Sequence, residues 1–221
     1  MSLKGKNRAV FSYNNIDKSN SNFMYKNFDK SNSYASRFCK CNFNYTSLRG
    51  AKFKYCNFNS ATFIGTEFVG TNLRGSLFKN ATFEDTIFNS ANLDKTNFDG
   101  ATFKNVYFLC TNVENIKHYK NIINNAQVTI MNKMPKDEEF SDELLKVVKG
   151  LREHDIIRRS HVLHLKNKRI NTLSLYILKL YFTEEELIKY IPIFAKQVTN
   201  QFYTLSYLKK YLLKIQKDDI I

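Results

Sequence analysis

Glycine is scarce in this chain, with seven in 221 residues. None is spaced as GxGxxG or GxxxxGKS/T, so no recognisable loop cradles a phosphate, and nucleotide chemistry is not expected. Long apolar runs are missing too. The greasiest stretch, INTLSLYILKLYF at 170–182, is too short to span a bilayer and carries Lys179. The opening MSLKGKNRAVFSYNN has no apolar core of the signal-peptide kind. We therefore expect a soluble cytoplasmic protein with no membrane partner. The four cysteines, Cys39, Cys41, Cys56 and Cys110, are unevenly placed, which argues for reduced thiols over a disulfide framework. No convincing set of base, nucleophile and metal ligands is present. His154, His161 and His164 would share one face of an unbroken helix, but without a nearby cysteine they read as ordinary surface or interface histidines. We expect no enzyme activity, no catalytic or metal residues, no cofactor and no small-molecule substrate.

Acidic residues are also in short supply, 20 against 34 Lys and Arg, for a net charge of +14. The imbalance is local. Residues 1–59 hold 11 cations against Asp17 and Asp29, residues 60–133 hold 7 against 6, and the remainder 16 against 12.

The chain is rich in a period that belongs to neither helix nor strand. In ATFEDTIFNSANLDKTNFDGATF (81–103), Phe83, Phe88, Leu93, Phe98 and Phe103 fall five apart, each two places after Ala or Thr. Counted in fives from Phe23 to Val113, the large position is broken only by Ser33, and the residue two places earlier is nearly always small. A chain that turns one corner per five residues aims one large and one small side chain per unit at a common axis. Four units close a square, so residues twenty apart stack at about 4.8 Å. The columns Phe23–Phe43–Phe63–Phe83–Phe103–Ile123, Phe38–Phe58–Phe78–Phe98–His118 and Phe53–Leu73–Leu93–Val113 sort aromatic from aliphatic residues as stacking favours. Ile123, Val128 and Ala126 are the last echoes, placing the end near residue 130.

The units ATF, TNL, ANL and TNF resemble those of the pentapeptide repeat proteins: a small residue, Asp or Asn, Leu or Phe, then two variable residues. The resemblance implies a right-handed quadrilateral β-helix, that is, a mainly β solenoid, over residues 21–130 behind a lead-in at 1–20. It also implies that pairing through C-terminal elements is common.

After a linker at 131–140 around Pro135, the five-residue period gives way to helical spacing, and an α-helical domain is expected over 141–221. Helices are placed at 141–152, 155–167, 171–182, 184–198 with a break at Pro192, and 201–217. Tyr203, Tyr207, Leu208, Tyr211, Leu212 and Ile215 give the last one an apolar face suited to packing in its own bundle, to capping the last coil or to a homodimer.

Lys30, Arg37, Lys40, Arg49, Lys52 and Lys54 all point outward in the repeat register, and we take them as a positive wall and the candidate partner-binding residues. The function expected is a non-enzymatic scaffold that binds a protein partner, with nucleic-acid binding by the basic coils as an alternative. The family resemblance adds a third reading, gyrase interaction of the quinolone-resistance kind through an acidic, DNA-like surface. Charge weighs against it, since Glu84, Asp94 and Asp99 belong to three different sides.

Overall fold

The computed structural model describes residues 11–219. Every fifth residue from Asn15 to Cys110 has a positive φ, between 44° and 72°. Each such left-handed residue turns the extended backbone through a corner, as the third residue of a tight turn does. Four corners bring the chain back over itself, and parallel bridges step by twenty on all four sides. One side runs Asn22–Asn42–Thr62–Thr82–Thr102, the next Asn27–Ser47–Glu67–Ile87–Tyr107. The third runs Ser12–Asn32–Lys52–Asn72–Asn92, and the fourth Asp17–Arg37–Asn57–Leu77–Asn97–Lys117. These are called below the Thr62, Glu67, Lys52 and Leu77 sides. The result is a four-sided β-solenoid of about six coils.

Three sides are regular enough to hold strands. β1 (Ser12–Asn14), β2 (Asn32–Tyr34) and β3 (Lys52–Lys54) lie on the Lys52 side. β4 (Thr62–Ile64), β6 (Thr82–Glu84) and β8 (Thr102–Lys104) lie on the Thr62 side. β5 (Glu67–Val69), β7 (Ile87–Asn89), β9 (Val106–Leu109) and β10 (Val128–Met131) lie on the Glu67 side. Strand β1 is already in register with β2, ahead of the start expected at residue 21. The first ten residues of the expected lead-in lie outside the described residues.

The axis is filled by aromatic columns. Phe58 and Phe78 stack at 5.0 Å with their planes 5° apart, and Phe78 and Phe98 at 4.9 Å and 8°. Phe68, Phe88 and Phe108 repeat the arrangement at 4.6 and 4.7 Å. Neighbouring columns meet edge to face, as Phe43 meets Phe58 at 5.6 Å and 71°, so each ring is offered both geometries that its quadrupole favours. Burying one such ring stabilises by several kcal/mol, at about 25 cal/mol per Å² over about 150–250 Å².

Polar atoms inside this core are paired by the same step. The Thr46, Thr66, Thr71 and Ser76 hydroxyls donate to the carbonyls of Phe23, Phe43, Leu48 and Phe53, each 23 residues earlier, at 2.6–3.0 Å. On the outer skin, Asn22, Asn42, Asn57, Asn72, Asn92 and Asn97 each accept from the backbone N–H two residues on, an Asx turn that fixes the approach to the corner. Small-Asn-large-x-x is thus one hydrogen-bond plan repeated.

Its end departs from the expected register. Strand β10 pairs with β9 at a step of 22, with Val128 opposite Val106 and Ile130 opposite Phe108. The helix α1 (Lys120–Ile123) takes up the extra two residues. It turns Ile122 into the core at 2% exposure and leaves Ile123 at 45%, so Ile123 does not continue the Phe103 column. Likewise Val128 does not sit over Phe108, and His118 is exposed.

The chain divides into two compact units, the first ending at Asn132 and the second beginning at Lys133. The second contains α2 (Asp142–Gly150), α3 (Asp155–Ser160), α4 (Thr172–Lys179), α5 (Glu184–Gln197) and α6 (Leu205–Asp219). Ser141 caps α2, and Thr183 with Glu186 forms a reciprocal capping box on α5. Three expectations are corrected. The second helix stops at Ser160, because His161 adopts a left-handed φ of 59°. The last begins only at Leu205. And α5 runs through Pro192 without a break: the proline forfeits one backbone bond, while buried Leu187, Ile191 and Phe194 hold the helix on both sides of it.

Candidate partner-binding surface

The register assigns each expected cation to a side. Lys52 and Lys54 sit together on β3, and Lys30 at the corner beside them. Arg37 belongs to the Leu77 side, Arg49 follows Leu48 on the Glu67 side, and Lys40 occupies the corner between the Leu77 and Thr62 sides. The six do not form one wall. Outward-pointing is a property of the five-residue unit, but sharing a side requires the same place in the twenty-residue coil.

Their electrostatic surroundings differ as well. Arg37 pairs with Asp17 at 3.2 Å, and Arg49 with Glu67 at 3.4 Å. Lys104 meets Glu84 at 2.7 Å on the Thr62 side, which raises the lysine's pKa. Hydrogen bonds from Ser19, helped by Arg37, hold Asp17 below the usual carboxylate range. On the Lys52 side, Lys52, Lys54, Arg74 and Lys95 form no ion pair among the described residues.

Two tyrosines accompany these cations, and neither they nor Arg74 and Lys95 were among the residues expected from sequence. Tyr34 and Tyr55 are each 46% exposed, with ring centroids 5.6 Å apart and planes at 72°. The Lys54 ammonium lies 6.0 Å from the Tyr34 centroid. Tyr55 rests on the next coil where Gly75 leaves room: a Cβ there would fall 2.5 Å from the ring. Tyr34, Lys54, Arg74 and Asp94 are twenty apart and share one column, while Tyr55, Gly75 and Lys95 share the adjoining corner. Residue number modulo twenty is the sequence signal that groups them. The diagonally opposite corner also carries a tyrosine stack, Tyr25 on Tyr45 at 5.2 Å, but its column continues to Asp85.

In the helical unit, Leu208, Leu212 and Ile215 are buried. Tyr207 stacks on Phe202 at 5.4 Å, and Tyr211 meets Phe194 edge-on at 5.5 Å, while Tyr203 is half-buried. The face of α6 expected to serve a cap or dimer thus packs largely on α5 and the segment before α6. His154, His161 and His164 do not share a helix, since α3 ends before the second of them, and His164 Nε2 lies 2.7 Å from the Val148 carbonyl. No group of three or more metal-ligating side chains comes together among the described residues. Burial pushes the Cys41 and Cys56 thiols up to about 11, which suits them to small apolar slots and not to nucleophilic work. Among the described residues no helix is long and apolar enough to cross a membrane.

A corner every five residues, a four-unit coil and a small-Asn-large plan define a repeat scaffold. The family model for pentapeptide repeats matches residues 35–68 and 66–105, in eight copies. Residues 35–105 of the solenoid therefore carry pentapeptide repeats. Among solved structures it is similar to HetL, a pentapeptide repeat protein involved in heterocyst differentiation regulation from the cyanobacterium Nostoc sp. strain PCC 7120, at 18% identity over 47% of this chain and 46% of that one, with a TM-score of 0.37. Full-length QnrB1, a plasmid-mediated fluoroquinolone resistance protein, is 18% identical over 48% of this chain and 64% of its own, with a TM-score of 0.31. Rfr23 from the cyanobacterium Cyanothece 51142 is 17% identical over 48% and 62%, with a TM-score of 0.26. The match covers less than two thirds of each of these structures. No curated protein matches the chain.

Proposed function

We propose that the chain is a non-enzymatic scaffold whose flat sides present fixed arrays of side chains to a macromolecular partner, with protein as the first candidate. The observation that carries this reading is the division of labour within each unit. The small and large positions are consumed by the axis, with Phe38, Phe43, Phe58, Phe63 and Phe78 fully buried, while the remaining positions point outward from a backbone held in register from coil to coil. Such a surface is preorganised, so little ordering entropy is spent on binding. Gyrase interaction through a DNA-like surface is disfavoured by the register, which distributes Glu84, Asp94 and Asp99 over the Thr62, Lys52 and Leu77 sides. Self-pairing through the half-buried tyrosines of α6 belongs to the same scaffold reading.

The test is capture from native lysate with the whole chain and with residues 1–133 as baits, both treated with nuclease. A protein retained by both baits supports the scaffold reading. Capture of nothing above a charge-matched control overturns it.

A further inference from the structure

We propose that the Lys52 side is a binding face for single-stranded nucleic acid. Two chemistries coincide there. Lys52 and Lys54 project from one strand about 7 Å apart, Arg74 lies one coil beyond Lys54 and Lys95 one coil further along the adjacent corner, so four cations follow a shallow diagonal across three coils. None forms an ion pair among the described residues, and Asp94, one coil beyond Arg74 in the same column, accepts from the Asn115 amide at 2.9 Å and bounds the row at that end, whereas each of the other three sides spends a cation on an ion pair. A chain of phosphates is the natural complement of such a row.

The second chemistry selects the kind of polyanion. Tyr34 and Tyr55 stand beside the cations, nearly half exposed, with their planes crossed at 72°. Two crossed rings offer two separate faces, so successive bases can each find a stacking platform. A duplex hides its base faces and would use only the charges. An unpaired strand uses both features, through the pairing of aromatic platforms with a positive track that suits sequence-tolerant binding. The side is also flat and carries no helix or projecting loop among the described residues that would enter a groove. The opposite tyrosine corner, which leads to Asp85 and lies near Glu84, lacks the positive track and fits no such ligand.

The proposal goes beyond the scaffold reading and does not depend on it, since the whole chain is tested with a defined ligand after nuclease treatment and repurification. Fluorescently labelled oligo-dT and oligo-U of about 20 nucleotides are titrated with the full-length protein, alongside a mixed-sequence duplex of equal length and heparin as a competitor. With four phosphate contacts, the slope of log affinity against log salt is expected near −3, which is about a fiftyfold loss between about 50 and 200 mM salt. The double variant Tyr34→Ala/Tyr55→Ala is expected to weaken single-strand binding about tenfold or more while leaving duplex binding unchanged, and Tyr34→Phe/Tyr55→Phe to restore it. Replacing Lys54 and Arg74 by Ser makes the slope shallower by about 1.4. The DNA and RNA arms show which strand is preferred. Absence of binding at low salt overturns the proposal. So does equal affinity for duplex and single strand with no effect of the tyrosines, which leaves only a general attraction of a basic protein for polyanions. Should the tyrosine variant not fold, the wild-type slope and the single-strand over duplex ratio decide the matter.

Discussion

At the scale of the residue, the fifth position of each unit explains the most. From Asn15 to Cys110 it is occupied by Asn, Tyr, Lys, Ala, Gly, Ser, Asp or Cys and never by Val, Ile or Thr, because a β-branched side chain clashes in the left-handed conformation that makes the corner. Reading for large and small side chains treats this position as variable and misses what it excludes. Gly75→Val joins both penalties, a β-branched residue at φ 72° and a Cβ within 2.5 Å of the Tyr55 ring. It is expected to cost about 2 kcal/mol in denaturant unfolding, and to displace Tyr55. Ser33 is the opposite case. It stands buried in a large slot with its hydroxyl unpartnered, so Ser33→Ala is expected to stabilise the chain by about 1 kcal/mol, and a loss of stability would show that the hydroxyl is satisfied in solution.

At the scale of the element, the solenoid was largely legible and its ending was not. The Phe58–Phe78–Phe98 column follows from spacing alone, since only a twenty-residue coil places those rings in contact. Phe78 touches rings in both neighbouring coils, and Phe78→Ala is expected to cost about 4 kcal/mol, measured by loss of cooperative unfolding at lower denaturant. The exchange of Ile123 for Ile122 in the core could not be read from the period, because α1 breaks the period by two residues and only packing reveals the new frame. Helix existence was readable from capping and apolar spacing. The end of α3 depends on a non-glycine left-handed residue, His161, which no propensity announces.

His164 gives the helical unit a pH dependence. Burial, with Arg152 nearby, lowers its pKa, and its Nε2–H donates to the Val148 carbonyl. The folded state therefore keeps this ring neutral while the unfolded chain takes up a proton below about pH 6.5. The contribution is intact above that value and is lost as pH falls toward the depressed folded pKa. Thermal melting followed by circular dichroism is expected to show a lower transition at about pH 5.5 than at about pH 7.5, and His164→Gln to flatten the difference.

At the scale of the whole molecule, the candidate surface was half legible. Composition shows that the excess of charge lies early in the chain, and the unit shows that those cations point outward. Treating them as one wall fails because five residues advance the chain by a side as well as by a fraction of a coil. Arg37 and Arg49 consequently lie on other sides, each beside a carboxylate, while Arg74 and Lys95, remote in sequence, join Lys52 and Lys54.

The twenty-residue step also gives this protein a reading frame of its own. Duplicating residues 81–100 adds a storey and keeps every earlier and later residue above its former neighbour, so the variant is expected to fold with Tyr34, Lys52, Lys54, Tyr55 and Arg74 in their places. Excising Cys56–Ser60 keeps the local pattern of small and large residues yet carries Arg74 a quarter-turn away from Tyr34. Insertions and deletions in this chain are therefore graded by their remainder on division by twenty more than by their size.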